Sequence, residues 1–185
     1  RYTGADKLDN SKRINYGIDI SKDLLSLSLF QAYEFDANSS YNKDLGLNDY
    51  MSDLLGSISF DGLNNDLQHD FRFNVDQGLI KSQSFTYKNT NILGTSEFKY
   101  SQERVENNSI LENDTETLDI DFSSNKFLNY SKINFSSKFD LIKDDPTKYN
   151  IGYSYFDECF GINLDFNRSF YADRDLKPSD TLTLM

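Results

Sequence analysis

Few side chains in this sequence are of the types that carry out chemistry. Its 185 residues include one cysteine, Cys159, and one histidine, His69. These two cannot supply the four ligands of a structural zinc site, and no glycine-rich phosphate loop is present. His69 is in phase with Phe71 and Phe73, which favours a structural histidine. Serines and aspartates abound, but no local motif supports a Ser-His-Asp site. We therefore predict a protein without enzymatic activity, metal or cofactor.

The remaining candidate residues lie at predicted turns. The acidic pairs Asp144-Asp145 and Asp157-Glu158 are interpreted as solvated charge, with Ca²⁺ binding as the less favoured alternative. Cys159 follows the second pair directly. It is open to three interpretations: a buried inert thiol, a reactive nucleophile, or half of a disulfide to a cysteine outside this sequence. The polar neighbours Gly161 and Asn163 on its face argue against burial, and a lone cysteine in an exported chain favours the disulfide.

Cys159 is positioned by the stretch Tyr149–Phe170, which reads YNIGYSYFDECFGINLDFNRSF. Apolar and aromatic residues alternate with small and polar ones along both arms, at 149–155 and at 160–166. The two arms flank the short polar break Phe156–Glu158. Strict alternation on both sides of such a break is typical of an antiparallel hairpin.

Composition restricts the class of protein. The net charge of −11, from 30 acidic and 19 basic residues, argues against nucleic-acid binding. Hydrophobic residues make up 37% and aromatic residues 15% of the chain, which suits a sheet with one apolar and one wet face. The polar start and the end within an alternating segment indicate one domain, residues 1–185, that is an internal piece of a larger protein without a signal peptide of its own.

Similar alternation recurs along the whole chain and predicts an all-β fold. No segment has the apolar stripe and caps of a helix. We expect an antiparallel up-and-down meander of about eleven strands, and a meander this wide needs closure to remove its edges. The sequence thus predicts part of a larger transmembrane β-barrel, in which the eighth strand is the longest. The predicted strands are residues 14–20, 25–33, 54–60, 67–75, 79–88, 92–100, 118–122, 127–141, 149–155, 160–166 and 181–185.

The connections between these strands differ systematically in length. Every odd-numbered connection is short, whereas the even-numbered ones include the long loops 36–50, 102–114 and 171–179. Outer-membrane barrels have short periplasmic turns and longer external loops, so Cys159 is predicted at the periplasmic rim. The same topology predicts which side chains point to lipid: Leu25, Leu27, Leu29, Phe71, Phe73, Ile133, Phe135, Ile162, Leu164 and Phe166.

Several stretches, taken together and in order, resemble the C-terminal barrel part of the LptD family of lipopolysaccharide-assembly outer-membrane proteins. They are the opening RYTGADKLDNSKRINYG, the segment Gln31-Ala32-Tyr33, the segment Ser52–Gly56, the segment YSYFDECF, and Arg168 followed by Asp175 and Pro178. The residues of this sequence taken as the signature are Gln31, Tyr33, Ser52, Asp53, Gly56, Tyr153, Asp157, Arg168 and Pro178.

The resemblance implies a function in lipopolysaccharide transport in the bacterial outer membrane. Such proteins pass lipopolysaccharide from periplasmic bridge proteins into the outer leaflet through a large barrel that holds a lipoprotein plug. An N-terminal periplasmic domain is disulfide-linked to cysteines near the end of the barrel, and only Cys159 matches these. Family members often have two adjacent cysteines where this chain has Glu158-Cys159. The alternatives are another outer-membrane barrel, such as a porin or adhesin translocator, and a soluble β-sandwich binding module.

Overall fold

A computed structural model describes residues 12–36, 50–104, 114–125, 130–170 and 178–185. These residues form eleven β-strands, and each strand pairs antiparallel with the next in the chain. The strands are β1 (Arg13–Lys22), β2 (Leu25–Glu34), β3 (Leu54–Asp61), β4 (Asn65–Asn74), β5 (Leu79–Thr90), β6 (Gly94–Glu103), β7 (Thr115–Ser124), β8 (Ser131–Asp140), β9 (Asp145–Phe156), β10 (Gly161–Ser169) and β11 (Ser179–Leu184).

The predicted antiparallel meander of about eleven strands is confirmed. The sheet order runs from β1 to β11 without a crossover, so β1 and β11 are its two outer strands. The eleven strands form one open sheet and do not close on one another into a barrel. None of the described residues belongs to a helix long and apolar enough to cross a membrane.

The strand registers bring the apolar residues of all eleven strands to one face of the sheet. Residues directly opposite each other in an antiparallel pair lie on the same face. One lateral row, for example, runs through Phe98, Ile120 and Ser137, and the next through Phe122, Phe135 and Ile151. All ten side chains predicted to share the outward face lie on this side, which we call the apolar face. It contains Ile14, Tyr16, Ile18, Ile20, Leu25, Leu27, Leu29, Leu54, Ile58, Phe60, Leu67, Phe71, Phe73, Phe85, Tyr87, Phe98, Tyr100, Leu118, Ile120, Phe122, Ile133, Phe135, Ile151, Tyr153, Tyr155, Ile162, Leu164, Phe166, Leu182 and Leu184.

The opposite side, the polar face, carries the alternating hydrophilic residues. No hydrophobic side chain among the described residues is buried. The chain exposes 13833 Å² of surface, whereas a compact monomer of its mass exposes about 9,100 Å². The described residues therefore form a single layer without a hydrophobic core, and the apolar face of this layer needs a partner to be removed from water.

Some predicted strand boundaries are wrong. The eighth strand is not the longest, because β8 has 10 residues and both β5 and β9 have 12. Leu141 is outside β8 because the carboxylate of Asp140 accepts the amide N–H groups of Ile142 and Lys143 and closes a turn. Phe127, the predicted start of that strand, lies outside the described residues.

The turn between β5 and β6 is also displaced from its predicted position. Residues 89 and 90 belong to β5, and Ile92, the predicted start of the sixth strand, lies in the turn. The side chain of Asn91 accepts the N–H groups of Leu93 and Gly94 at 2.8 and 3.3 Å, which fixes the turn at residues 91–93. Phe160 likewise precedes β10 rather than starting it.

The two ends of the strands form two edges of different character. The turns 23–24, 62–64, 91–93 and 157–160 lie on one edge, which we call the turn edge. The turns 75–78 and 141–144 lie on the opposite edge, together with the ends of the three long connections, whose residues 37–49, 105–113 and 171–177 lie outside the described residues. Cys159 lies on the turn edge, as the parity of the connections predicts.

Candidate functional site

The apolar face is the largest candidate interaction surface of the described sheet. Formally charged side chains of this face lie within two residues of a strand end, and they include Lys22, Glu116, Arg168 and Asp180. Three of these are paired: Tyr100 Oη donates to Glu116 at 2.7 Å, and Arg168 Nε lies 3.4 Å from Asp180 Oδ1. Between the strand ends, a band without formal charge crosses the whole sheet.

His69 is the one histidine on this band. It lies between Ile58 of β3 and Phe85 of β5, and its ring centroid is 5.7 Å from that of Phe71. The neighbours are apolar on both sides, so the position agrees with the predicted structural histidine. Among the described residues, no group of three or more His, Cys, Asp or Glu side chains is arranged to hold a metal ion.

Tyrosines of the apolar face lie towards the margins of the band, where their hydroxyl groups reach polar partners. Towards the long-connection edge, Tyr16 Oη donates to Gln31 Oε1 at 2.8 Å. Towards the turn edge, Tyr87 Oη donates to Asn65 Oδ1 at 2.8 Å, and the hydroxyl groups of Tyr153 and Ser131 lie 3.0 Å apart. Each ring thus has an apolar body in the band and a polar tip at its margin, an arrangement that suits a boundary between two solvents.

Four of the predicted signature residues meet at the long-connection edge of β2 and β3. Gln31 Nε2 donates to the carbonyl of Ser52 at 3.0 Å, and Ser52 Oγ accepts the N–H of Ala32 at 2.8 Å. Tyr33 forms an isolated β-bridge with Met51. These bonds hold the chain that enters β3 against the end of β2, so they determine where β3 begins.

Asp53 is the buried charge of this cluster, with 4% of its surface exposed. Its carboxylate accepts hydrogen bonds from Arg72 Nε at 2.5 Å and from Asn74 Nδ2 at 2.8 Å. Burial of a carboxylate is costly unless it is paired and hydrogen-bonded, and here both conditions are met. The cluster therefore joins the start of β3 to the end of β4.

Gly56, a fifth signature residue, lies on the apolar face three residues after Asp53. The ring of Phe71 on β4 covers it, and a Cβ at this position would overlap three atoms of that ring. A larger residue at this position would force the ring of Phe71 to move, because the aromatic side chain approaches the backbone of the neighbouring strand closely.

The turn that carries Cys159 is held by Asp157. The N–H of Asp157 donates to the carbonyl of Phe160 at 2.9 Å, and Asp157 Oδ1 accepts the N–H of Cys159 at 3.3 Å. The hydroxyl group of Tyr155 lies 3.4 Å from Asp157 Oδ2. Cys159 itself is exposed, so the buried-thiol interpretation is wrong, and the thiol is accessible at the turn edge.

The remaining signature residues are far from the cluster around Ser52. Tyr153 lies on β9 towards the turn edge. Arg168 lies near the end of β10, with its guanidinium carbon 5.3 Å from the centroid of Phe170. Pro178 precedes β11 on the long-connection edge. The structure thus places the signature residues in separate regions of the sheet and does not gather them into one site.

Sequence reasoning missed an apolar pair on the polar face. Phe30 and Leu55 are cross-strand partners there, with 45% and 50% of their surface exposed. They line two grooves that lie on the polar side, and a third groove lies on the same side near Asp66 and Lys99. All three grooves therefore lie on the polar face. The signal was present, because Leu29-Phe30 and Leu54-Leu55 each break the alternation.

No protein-family model matches this chain, and no curated protein matches it either.

Proposed function

We propose that this chain forms the C-terminal part of a transmembrane β-barrel in a bacterial outer membrane. The observation that carries the proposal is the apolar face, which extends over eleven strands with no covering layer among the described residues. Hydrocarbon is a suitable environment for such a face, and a closed barrel is the form in which a sheet satisfies all of its backbone groups there. The polar face would then be the wall of a polar lumen.

The dimensions of the strands support this environment. Nine of the eleven strands have 9 to 12 residues, and a tilted membrane strand needs about 9–11. The charged side chains of the apolar face at the strand ends, together with the tyrosines towards the margins of the band, resemble the interfaces of an outer-membrane barrel. In this arrangement the turn edge faces the periplasm and the long connections face the outside.

The specific function that we propose is transport of lipopolysaccharide into the outer leaflet, as in the LptD family. It rests on the resemblance described above, and the hydrogen-bonded cluster of Gln31, Ser52 and Asp53 supports it, because residues matched in separate stretches meet in space. The barrel would hold a lipoprotein plug in its lumen and receive lipid from periplasmic bridge proteins through an N-terminal domain. Its role is passage of a lipid, without catalysis.

Cys159 then has a role as one half of a disulfide to that N-terminal domain. Its exposure on the proposed periplasmic edge leaves the thiol accessible to a partner in an oxidising compartment. The single cysteine limits this site to one such bond. The alternative role of Cys159 as a nucleophile would require a base that activates the thiol. The neighbouring carboxylate of Asp157 accepts the backbone N–H of Cys159, and in this described turn no hydrogen bond from the thiol to Asp157 is seen.

Two measurements on the intact protein in its own cells test the proposal. The first is recovery in the outer membrane as a band whose electrophoretic mobility changes on heating, which a barrel gives and a soluble sandwich does not. The second is depletion of the protein, after which newly made lipopolysaccharide should fail to reach the cell surface. A heat-modifiable protein whose depletion leaves surface lipopolysaccharide unchanged is a porin or an adhesin translocator. A freely soluble protein overturns the membrane assignment itself.

A further inference from the structure

The turn edge carries large apolar side chains at positions where turns ordinarily carry Gly, Asn, Asp or Ser. We call them the turn-tip cluster: Leu24, Leu63, Ile92, Leu93, Phe156 and Phe160. The exposed fraction is 101% for Leu63, 91% for Ile92, 74% for Phe156 and 71% for Leu93. Every described turn on this edge contributes at least one member.

The opposite edge is different. The most exposed apolar side chain in its two described turns is Ile142, at 53%, and Val75 follows at 44%. Apolar residues at the ends of strands are therefore not enough to explain the turn-tip cluster. Among the described turns, the most exposed apolar side chains therefore lie on the turn edge.

Hydrogen bonds hold the turn-tip cluster in a fixed arrangement. Adjacent turns are tied to the next strand by backbone bonds from Asp61 to Leu24, from Thr90 to Asn64, and from Asn125 to Leu93, at 2.8 to 2.9 Å. The side chain of Asn125 also donates to the carbonyl groups of Asn91 and Ile92 at 3.0 Å. The apolar tips are thus presented by a preorganised backbone, which lowers the entropic cost of binding.

The charges beside the tips identify the chemistry of the partner. Asp23, Asp61, Asp157 and Glu158 lie in or directly beside these turns, whereas Lys22 is the one basic residue at an equivalent position in the described turns. An anionic lipid surface attracts basic protein segments and repels acidic ones. A protein surface that is both apolar and basic could pack against the apolar side chains of the turn-tip cluster and pair with the neighbouring carboxylates.

We propose that the turn edge is the docking surface for a protein whose contact surface is apolar and positively charged. Turns 23–24 and 157–160 are separated by eight strand spacings in the sheet order, which is about 38 Å at 4.8 Å per strand. A partner that contacts all of the described tips therefore has the width of a small folded domain rather than of a single peptide strand. This inference does not require the chain to transport lipopolysaccharide or to lie in a membrane.

The test uses the intact protein in its own cells, with the photo-cross-linking residue p-benzoylphenylalanine replacing Leu63 or Ile92. We expect both positions to cross-link to the same polypeptide. The segment of that polypeptide that carries the cross-link should have a net positive charge. The control is the same replacement at Ile142 on the opposite edge, which should not capture that polypeptide. Lipid adducts alone, different polypeptides from the two positions, an acidic partner peptide or no adduct at all would each overturn the proposal.

A charge reversal tests the electrostatic part on its own. With the cross-linker at Ile92, the substitution Asp61→Lys should lower the yield of the adduct at least fivefold. Asp61 faces Asp66 across the strands, so the substitution removes a like-charge pair and should not impair folding. The matched control is Asp76→Lys, in a turn of the opposite edge, for which the yield should stay unchanged. Equal yields in the two variants would contradict the proposed charge complementarity.

Discussion

Replacing Phe135 by arginine should prevent stable insertion of the protein, whereas the same change at the next residue should not. Phe135 is in the middle of β8, on the apolar face, between Phe122 of β7 and Ile151 of β9. An arginine on the lipid face near the bilayer midplane costs about 2–4 kcal/mol. That cost corresponds to a folding equilibrium weakened by about 30-fold to about 900-fold.

Ser136 is the matched control because it lies in the same strand but on the polar face. Its lateral neighbour Asp121 is itself beside Glu97. Ser136→Arg adds a cation to this acidic row, so we expect the free energy of unfolding to change by no more than about 0.5 kcal/mol. The assay is urea unfolding of the membrane-inserted protein, supported by the amount of heat-modifiable protein in the outer membrane. Equal effects of the two substitutions would refute the assignment of faces.

Phe135→Arg would also destabilise a β-sandwich in which the apolar face is packed inside. A second measurement therefore distinguishes whether lipid or protein covers the apolar face. The chain contains no tryptophan, so Phe135→Trp and Ser136→Trp each add one new fluorophore to it. Brominated lipids should quench the added fluorescence at position 135 and leave that at position 136 nearly unchanged. Absence of quenching at both positions would show that the apolar face does not contact lipid.

Three further changes test the local arrangement. Asp53→Asn should lower the free energy of unfolding by about 1–3 kcal/mol, because it weakens charge-assisted hydrogen bonds to a buried carboxylate. Urea unfolding measures this change. An unchanged unfolding midpoint would contradict a structural role for the cluster around Asp53. Gly56→Ala should lower the free energy of unfolding by about 1–3 kcal/mol through overlap with the ring of Phe71. Adding Phe71→Leu to the same molecule should restore most of this loss. A double variant that loses as much stability as the two single variants together would refute the contact. Cys159 in mature protein should resist thiol labelling under non-reducing denaturing conditions, and Cys159→Ser should slow maturation; complete labelling would exclude the disulfide.

The faces of the sheet could be predicted from the sequence because alternation is a local property. A side chain such as Leu27 shares a face with Leu25 and Leu29 whatever strand lies beside it, provided the segment is extended. Much of the pairing order also followed from local information, since short turns join most of the consecutive strands. The turn edge could be identified in the same way, from the lengths of the connections alone.

Contacts that depend on register could not be predicted in this way. Asp53 and Arg72 are 19 residues apart, and they meet only because Leu55 is opposite Arg72 in the pairing of β3 with β4. The displaced turn at residues 91–93 has a different cause. The side chain of Asn91 accepts the N–H groups of Leu93 and Gly94, and such local bonds compete with continuation of the strand.

The outer strands provide the sharpest test of closure. The carbonyl of Lys12 accepts the N–H of Phe35, so the even-numbered residues of β1 bond to β2. The N–H groups of its odd-numbered residues from Asn15 to Ser21 therefore point away from the sheet. In hydrocarbon each unpaired group would cost several kcal/mol, so a barrel must pair them with a further strand. We expect these amides to be protected from hydrogen exchange in the intact, membrane-inserted protein, as strongly as the even-numbered amides of the same strand. Selective, rapid exchange of the odd-numbered amides in the folded protein would mean that β1 is a free edge, and a free edge of ten residues is incompatible with a closed transmembrane barrel.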